Sequence, residues 1–96
     1  MLVDIEEVEI LDGYNLKLRF ADGVEGVLDI SKIVDFKGVF KPLRDIDYFR
    51  KVSLYQDGGT IFWPNGADLD PDVLYSLVSG KPLPEFASMP SRSKTD

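Results

Sequence analysis

Three aspartates, Asp68, Asp70 and Asp72, stand at the spacing with which a calcium-binding loop begins. The rest of that motif is missing, because Val73 occupies the position of the required glycine and Ser79 that of the bidentate glutamate. We therefore predict no metal site at these residues. Their carboxylates are expected instead to cap a helix and to satisfy the backbone donors of a turn.

The rest of the composition offers little for catalysis. The 96 residues include no histidine and no cysteine, which removes the commonest general base and every thiol nucleophile. The serines have no imidazole to activate them, and the turn Asp57-Gly58-Gly59 lacks the lysine of a phosphate-binding loop. We predict a protein that is not an enzyme, with no catalytic residue and no cofactor. The alternative hypothesis is an enzyme whose catalytic side chains are aspartates alone.

A sharp corner near residues 60–70 separates an apolar strand from the start of a helix. Proline cannot donate to a sheet ladder, so the strand is predicted to stop there, and the Asn-Gly pair that follows tolerates the dihedral angles of a tight turn. The only tryptophan precedes this turn, either as a buried core anchor or as a contact for a partner. The candidate structural or interaction site is this corner, made of Trp63, Pro64, Asn65, Gly66, Asp68 and Asp70.

The N-terminal third of the chain predicts a three-stranded antiparallel meander. Residues 14–20 alternate strictly between apolar and polar side chains, a period of two that a helix cannot produce. Residues 3–11 and 24–30 are predicted to be its neighbours, with Val8 and Ile10 on the inner face of the first strand. Asp-Gly pairs separate the three segments and are typical of hairpin turns.

The outward face of this meander carries charges of both signs. Acidic residues of the outer strands are expected to flank basic residues of the central strand. They are Glu7, Glu9, Glu25 and Asp29, around Lys17 and Arg19. Such a face is either a solvated surface or a mixed-charge docking surface for another molecule.

Short helical segments are predicted in the middle of the chain. Ser31 is expected to cap a turn that ends near Val34. The next segment has one apolar helical face. That face consists of Phe36, Val39, Phe40 and Leu43. Asp45 or Asp47 is expected to cap a further turn, whose aromatic pair at 48–49 fills the core.

A second hairpin and a helix are predicted after residue 50. Residues 52–56 and 60–63 are expected to form the two strands of the hairpin. Asp70 is placed to cap the final helix, with Pro71 at its first position and Gly80 as its C-terminal stop. The apolar stripe of this helix consists of Val73, Leu74, Leu77 and Val78.

These elements predict a single α+β domain over residues 1–80. Its core is a small curved antiparallel sheet, formed by the three-stranded meander plus a second hairpin, with short helices and a C-terminal helix. Residues 81–96, rich in proline and serine, are predicted to form a tail that contains the apolar anchors Leu83, Phe86 and Met89. The N-terminus lacks the pattern of a signal peptide and no apolar stretch is long enough for a membrane span, so we expect a cytoplasmic protein.

Several of these segments together resemble a known family. The specific part is the run Trp-Pro-Asn-Gly-Ala-Asp at residues 63–68, with its spacing to Pro71 and to Leu74-Tyr75. Further matching segments are Phe20-Ala21-Asp22-Gly23, Leu28-Asp29-Ile30, Phe40-Lys41-Pro42-Leu43, Phe49 and Ile61-Phe62. Over residues 3–78 the chain resembles a family of small bacterial proteins catalogued as domain of unknown function 2442.

The resemblance implies an α+β fold with a small curved sheet and short helices, and it supplies no catalytic residues. Some relatives continue into a helix-turn-helix DNA-binding domain, which we do not expect here. Other relatives look like partners encoded beside a small toxin. The resemblance therefore implies an antitoxin-like role.

Two functions follow as hypotheses. The first is a non-enzymatic protein-binding module, antitoxin-like, whose partner is another protein such as a small adjacent toxin. It draws on the absence of histidine and cysteine, on the net charge of −6, and on sheet edges that could accept a strand. The same charge opposes direct binding to nucleic acid. The alternative is a homodimeric structural or regulatory domain that binds a small ligand near the Trp63 corner.

Overall fold

Two small antiparallel sheets and several short helices make up the fold, which confirms the α+β architecture. The computed structural model describes residues 3–55 and 59–80. A three-stranded sheet has the order β1-β2-β3, and a separate hairpin pairs β4 with β5. The strands are β1 (Ile5–Ile10), β2 (Asn15–Phe20), β3 (Glu25–Asp29), β4 (Ser53–Leu54) and β5 (Ile61–Phe62). The helices are α1 (Ile46–Phe49) and α2 (Pro71–Ser79), with 3-10 helices at Ile30–Lys32 and Gly38–Arg44.

The central strand β2 is organised by its alternation. Leu16, Leu18 and Phe20 are fully buried, while Lys17 and Arg19 between them face outward. Successive side chains of a strand point to opposite faces, so this pattern alone decides which face of the sheet meets the core. The sequence prediction for this strand is confirmed.

Strand β1 contains a bulge that its sequence did not reveal. Ile5 pairs with Phe20 but Glu7 pairs with Arg19, so that Glu6 is an extra residue on the β1 side. Without it, Ile5 would share the outward face of Glu7; with it, Ile5 is buried. The bulge therefore adds a core residue to the predicted pair Val8 and Ile10, and it also brings a second glutamate beside Arg19.

The first helical turn is capped by a different residue from the one expected. Asp29 Oδ1 accepts hydrogen bonds from the backbone N–H of Ser31 at 3.0 Å and from its hydroxyl at 2.6 Å. Strand β3 passes directly into the 3-10 helix at Ile30, so the capping position falls on Asp29 and the prediction for Ser31 is wrong.

The second segment forms a 3-10 helix, and the predicted apolar face is only partly correct. Leu43 is buried and Phe40 packs against the core, but Val39 is 50% exposed. A 3-10 helix has three residues per turn, which aligns Phe40 with Leu43 and turns Val39 away. Asp45 caps α1 through the N–H of Asp47, one of the two alternatives from the sequence.

The second hairpin is shorter than predicted, because β4 and β5 pair over only two residues each. Its turn at 57–58 lies outside the described residues. Gly59 is described and has a φ of 73°, and its carbonyl accepts a hydrogen bond from the N–H of Ile5 at 2.8 Å. The hairpin is thereby attached to the start of β1.

Helix α2 begins and ends where the sequence predicts, but its buried face is rotated. Asp70 caps it and Gly80, at a φ of 78°, ends it. Leu74 and Tyr75 are buried, whereas Leu77 of the predicted stripe is 50% exposed. Tyr75 packs edge-to-face on Phe20 at 5.0 Å, so an aromatic residue with a polar tip replaces Leu77 in the core.

Two further expectations concern the ends of the chain and membranes. The tail at 81–96, with Leu83, Phe86 and Met89, lies outside the described residues. Within residues 3–55 and 59–80, no helix has the length and apolar character needed to cross a membrane.

Candidate functional site

Trp63, the first residue of the predicted corner, lies inside the core. Its side chain is fully buried, and its indole Nε1–H donates a hydrogen bond to the backbone carbonyl of Phe49 at 2.9 Å. The two rings lie 5.8 Å apart. The indole therefore joins α1 to β5, and no face of it is open to a partner or ligand.

The turn after Trp63 is closed by its own backbone. The N–H of Gly66 donates to the carbonyl of Trp63, and the N–H of Trp63 donates to the carbonyl of Ala67, each at 2.9 Å. Gly66 has a φ of 90°, a conformation that residues with a Cβ rarely adopt. Asn65 accepts the N–H of Ala67 and donates to the carbonyl of Val39 at 2.8 Å, which fastens the turn to the second 3-10 helix.

The three aspartates do not converge. Asp70 Oδ1 accepts the N–H of Asp72 at 2.9 Å as the cap of α2, while Asp68 is exposed and pairs through its backbone with Phe62. No group of three potential metal-ligating carboxylates is found in the part of the chain that the structure describes. The surface of the corner consists of Pro64, Asn65, Gly66 and Asp68.

A cluster of charged side chains covers the outward face of the meander. Arg19 is its centre, because its guanidinium lies 2.8 Å from Glu7 Oε2 and 3.6 Å from Glu6 Oε1. Lys17 lies 3.9 Å from Glu25 across β2 and β3. The cross-strand opposition of charges expected from the sequence is present, and the bulge in β1 adds Glu6 to it.

The contact between Glu7 and Arg19 changes the titration of both groups. The hydrogen bond and charge of the guanidinium lower the pKa of the Glu7 carboxyl, and the same contact raises the pKa of Arg19. Both shifts favour the charged forms, so the pair stays ionised over the neutral range. A lowered carboxyl pKa is the opposite of what a general acid needs.

Two shallow depressions adjoin this cluster. One of about 390 Å³ lies over the charged face and reaches Leu54 of β4. Another of about 450 Å³ lies beside the start of β1, between Asp4, Arg19 and Tyr55. Both are bordered by exposed charges, which suits contact with another polar surface more than enclosure of an apolar ligand.

Strand β3 forms an open edge of the sheet. The N–H of Phe20 donates to Val24 and the N–H of Ile30 donates to Tyr14, which fixes the phase of the ladder between β2 and β3. In that phase Glu25 and Val27 occupy non-hydrogen-bonded pairs, so their N–H and C=O groups point away from β2. Neither residue has an outward backbone hydrogen bond to any residue of the described ranges.

The opposite edge, β1, is better protected. Val8 and Ile10 direct their backbone groups outward there, since Leu11 donates to Asn15 in the adjoining pair. The bulge at Glu6 interrupts this edge, and β4 lies against it. Bulges and covering elements are common ways of preventing a sheet edge from accepting a strand. Strand β3 has no bulge, and α2 packs on its inward face at Gly26, so the outward backbone groups of Glu25 and Val27 have no hydrogen-bonding partner in the described part of the structure.

The sequence-based choice of the corner missed this edge, although one indication was present. Val27 stands between Glu25 and Asp29 at an outward position of an alternating strand, and it is 53% exposed. An apolar residue at a solvent-facing position of an edge strand indicates a contact surface more directly than a buried tryptophan does. We call Glu25, Val27 and Asp29, with their outward backbone groups, the β3 edge.

Comparison with known proteins gives a family but no function. No curated protein and no solved structure matches the chain. A family profile described as a protein of unknown function (DUF2442) matches residues 5–80, in agreement with the resemblance seen over residues 3–78. Since that match spans most of the chain and includes every described strand and helix, the protein belongs to the DUF2442 family.

Proposed function

We propose that this protein is a non-enzymatic protein-binding module that binds its partner by adding a strand to the β3 edge. The observation that carries the proposal is the set of outward N–H and C=O groups at Glu25 and Val27, which have no partner among the described residues. An extended segment of another protein would pair with these groups and continue the sheet.

The chemistry of the site supports binding rather than catalysis. The charged cluster around Arg19 is exposed, and its contact with Glu7 lowers a carboxyl pKa instead of preparing a proton donor. The sequence contains no histidine or cysteine. Main-chain pairing supplies affinity in strand addition, and the alternate side chains of the edge strand supply specificity.

The experiment is capture of a partner from the native host by the tagged full-length protein, with two variants of one residue. Val27→Pro removes an outward N–H without removing a bond to β2, and proline is tolerated at such edge positions. Val27→Thr keeps the N–H and the β-branched shape, and serves as the matched control. We expect a stoichiometric partner with the wild type and the threonine variant, and its loss with the proline variant.

Circular dichroism and a urea titration show whether the proline variant is folded. If the folded proline variant captures the same partner as the wild type, binding does not use the β3 edge and the proposal fails. The capture is done at concentrations that preserve micromolar complexes, from cells that express the protein. If the wild type captures no partner there, the hypothesis of a protein-binding module fails as well.

The antitoxin-like role and a cytoplasmic location are part of this proposal. The role is tested by two questions. One is whether the captured partner is the product of a small reading frame adjacent to this gene, and the other is whether co-expression of this protein suppresses the toxicity of that product. Suppression by the wild type and not by Val27→Pro would support both the role and the edge. Suppression by both would separate the role from the edge.

The alternative, a homodimer that binds a small ligand near Trp63, has less support from the geometry. The indole is enclosed, and the amide of Asn65 is engaged in two hydrogen bonds within the chain. A ligand there would meet mainly Pro64, Gly66 and Asp68. Light scattering and a thermal-shift screen test it; a dimer with a ligand-dependent melting temperature would favour it over strand addition.

A further inference from the structure

We propose that the strand accepted by the β3 edge is basic, with an apolar residue flanked at two-residue spacing by lysine or arginine. This inference rests on the proposed function and specifies the chemistry of the partner. It follows from the side chains that the β3 edge places beside its free backbone groups, and from the charges that surround them.

The three side chains of the β3 edge share one face. Glu25, Val27 and Asp29 alternate with the inward-facing Gly26 and Leu28, so they are spaced by about 6.8 Å along the strand. A paired strand presents its own alternate side chains directly opposite them. The partner residue opposite Val27 therefore meets an apolar surface, and the residues on either side of it meet carboxylates.

These carboxylates are only partly neutralised within the chain. Glu25 is exposed, and its cationic neighbour Lys17 lies 3.9 Å away, the longest of the ion pairs in the charged cluster. Arg19 is the cross-strand partner of Glu25, but its guanidinium is directed to the β1 side, where Glu7 lies at 2.8 Å. Asp29 uses Oδ1 to cap the 3-10 helix and has no ion pair with a basic side chain among the described residues. The edge therefore attracts cations on both sides of Val27.

The same charges disfavour a second copy of this chain as the occupant. An antiparallel pair centred on Val27 would place Glu25 of each copy opposite Asp29 of the other. Like charges directly opposite destabilise a sheet, and two such pairs would form in each dimer. A shift of register by two residues would instead oppose Glu25 to Val27 and lose the apolar contact. The overall charge of −6 acts in the same direction.

A synthetic peptide tests the inference directly. The probe is the blocked heptapeptide Thr-Lys-Thr-Val-Thr-Lys-Thr, and the control peptide has glutamate in place of both lysines. Nuclear magnetic resonance of the full-length protein at low salt follows amide shifts and hydrogen exchange. We expect the lysine peptide to shift and protect the amides of Glu25 and Val27, and to bind roughly tenfold more tightly than the glutamate peptide.

Two charge-reversal variants distinguish a local contact from general electrostatic attraction. Glu25→Lys reverses a charge on the edge, whereas Glu9→Lys makes the same change on the same face but on β1. We expect Glu25→Lys to abolish the preference for the lysine peptide, and Glu9→Lys to preserve most of it. An equal loss in the two variants would mean that only net charge is sensed, and would overturn the inference.

Other results also overturn it. Equal affinity for the two peptides removes the charge requirement. Slow exchange of the Glu25 and Val27 amides in the free monomer shows that another part of the same chain occupies the edge. Slow exchange that depends on protein concentration shows that a second copy occupies it. In either case the edge is not available to a foreign basic strand.

Failure of this inference is distinguishable from failure of the proposed function. A captured native partner that is lost with Val27→Pro but retained with Glu25→Lys leaves strand addition intact and refutes the basic strand. Loss with both variants, together with retention in Glu9→Lys, supports both proposals. Retention in every variant refutes strand addition and the basic strand together.

Discussion

Gly26 gives the sharpest test of how α2 packs on the sheet. A Cβ at this position would lie 2.8 Å from Val78 Cγ1, with two further atoms of the same side chain at 3.7 and 3.8 Å. Carbon atoms prefer separations of about 3.5–4.0 Å, so Gly26→Ala requires a displacement of about 0.7 Å or more. Val78 is β-branched on a helix and has essentially one preferred rotamer, which leaves backbone movement as the main way to relieve the contact.

The expected destabilisation follows from two opposing effects. Overpacking of this kind costs about 1–3 kcal/mol. Alanine in place of glycine within a strand stabilises the fold by about 0.5–1 kcal/mol, because the unfolded chain then has less conformational entropy to lose on folding. With about 2 kcal/mol for the first effect and about 0.75 kcal/mol for the second, we expect Gly26→Ala to lower the free energy of unfolding by about 1 kcal/mol, which corresponds to a fall in melting temperature of roughly 4–8 °C for a domain of this size.

Urea titrations of a double-mutant cycle identify the cause. Val78 is only partly buried, so Val78→Ala alone should cost about 1 kcal/mol. In that background the clash is absent, and Gly26→Ala should be neutral or stabilising by about 0.5–1 kcal/mol. Gly13→Ala is the control: at a φ of 60° with no atom within 4 Å it is strained by its backbone alone. Its cost should therefore be the same in both backgrounds.

Two results would refute this account of the packing. The first is a Gly26→Ala variant as stable as the wild type, which would mean that α2 does not approach β3 as closely as the structure shows. The second is a loss that is unchanged by Val78→Ala, which would place the strain elsewhere.

Three further predictions concern the corner, the helix cap and the charged face. Trp63→Phe should lower the free energy of unfolding by about 1–3 kcal/mol, since the carbonyl of Phe49 loses its hydrogen-bond donor in the core. A urea titration followed by circular dichroism measures this loss. An unchanged urea midpoint would contradict the buried hydrogen bond. Asp70→Ala should cost about 0.5–2 kcal/mol as a lost cap, whereas Asp70→Asn should retain most of the stability. The Glu7 pKa, measured by nuclear magnetic resonance, should lie below the ordinary value of a glutamate and return towards that ordinary value in Arg19→Gln. Because folding lowers the pKa of Glu7, its contribution to stability is fully present above the pKa of the unfolded state. That contribution is lost as pH falls through the pKa of the folded state. An equal Glu7 pKa in the wild type and in Arg19→Gln would contradict the contact between the two side chains.

Local chemistry made much of the fold predictable. The alternation of β2 places Leu16, Leu18 and Phe20 inside because the period of a strand is fixed at two residues. Helix α2 is bounded by Asp70 and Gly80, each of which acts on backbone groups only a few residues away. The family, too, is recognisable from one contiguous run and its spacing.

The candidate site was harder to predict, because it depends on which strand remains at an edge. The corner contains the distinctive residues of the sequence, but its tryptophan and asparagine are engaged within the chain. The outward groups at Glu25 and Val27 follow from the phase of the ladder between β2 and β3, and β1 rather than β3 is the strand on which β4 mainly packs. The residues next to Val27 in the sequence do not indicate where the hairpin of β4 and β5 packs.

The sequence by itself therefore determined the α+β class, the inward face of the central strand, the limits of the last helix and the family. The three structural features are set by interactions between residues close together along the chain, and the family is recognised from the match over residues 5–80. Only the tertiary structure decided that a bulge at Glu6 buries Ile5, that Tyr75 and not Leu77 faces the core, and that β3 is the open edge. These depend on contacts between residues far apart in sequence, where packing overrides local pattern.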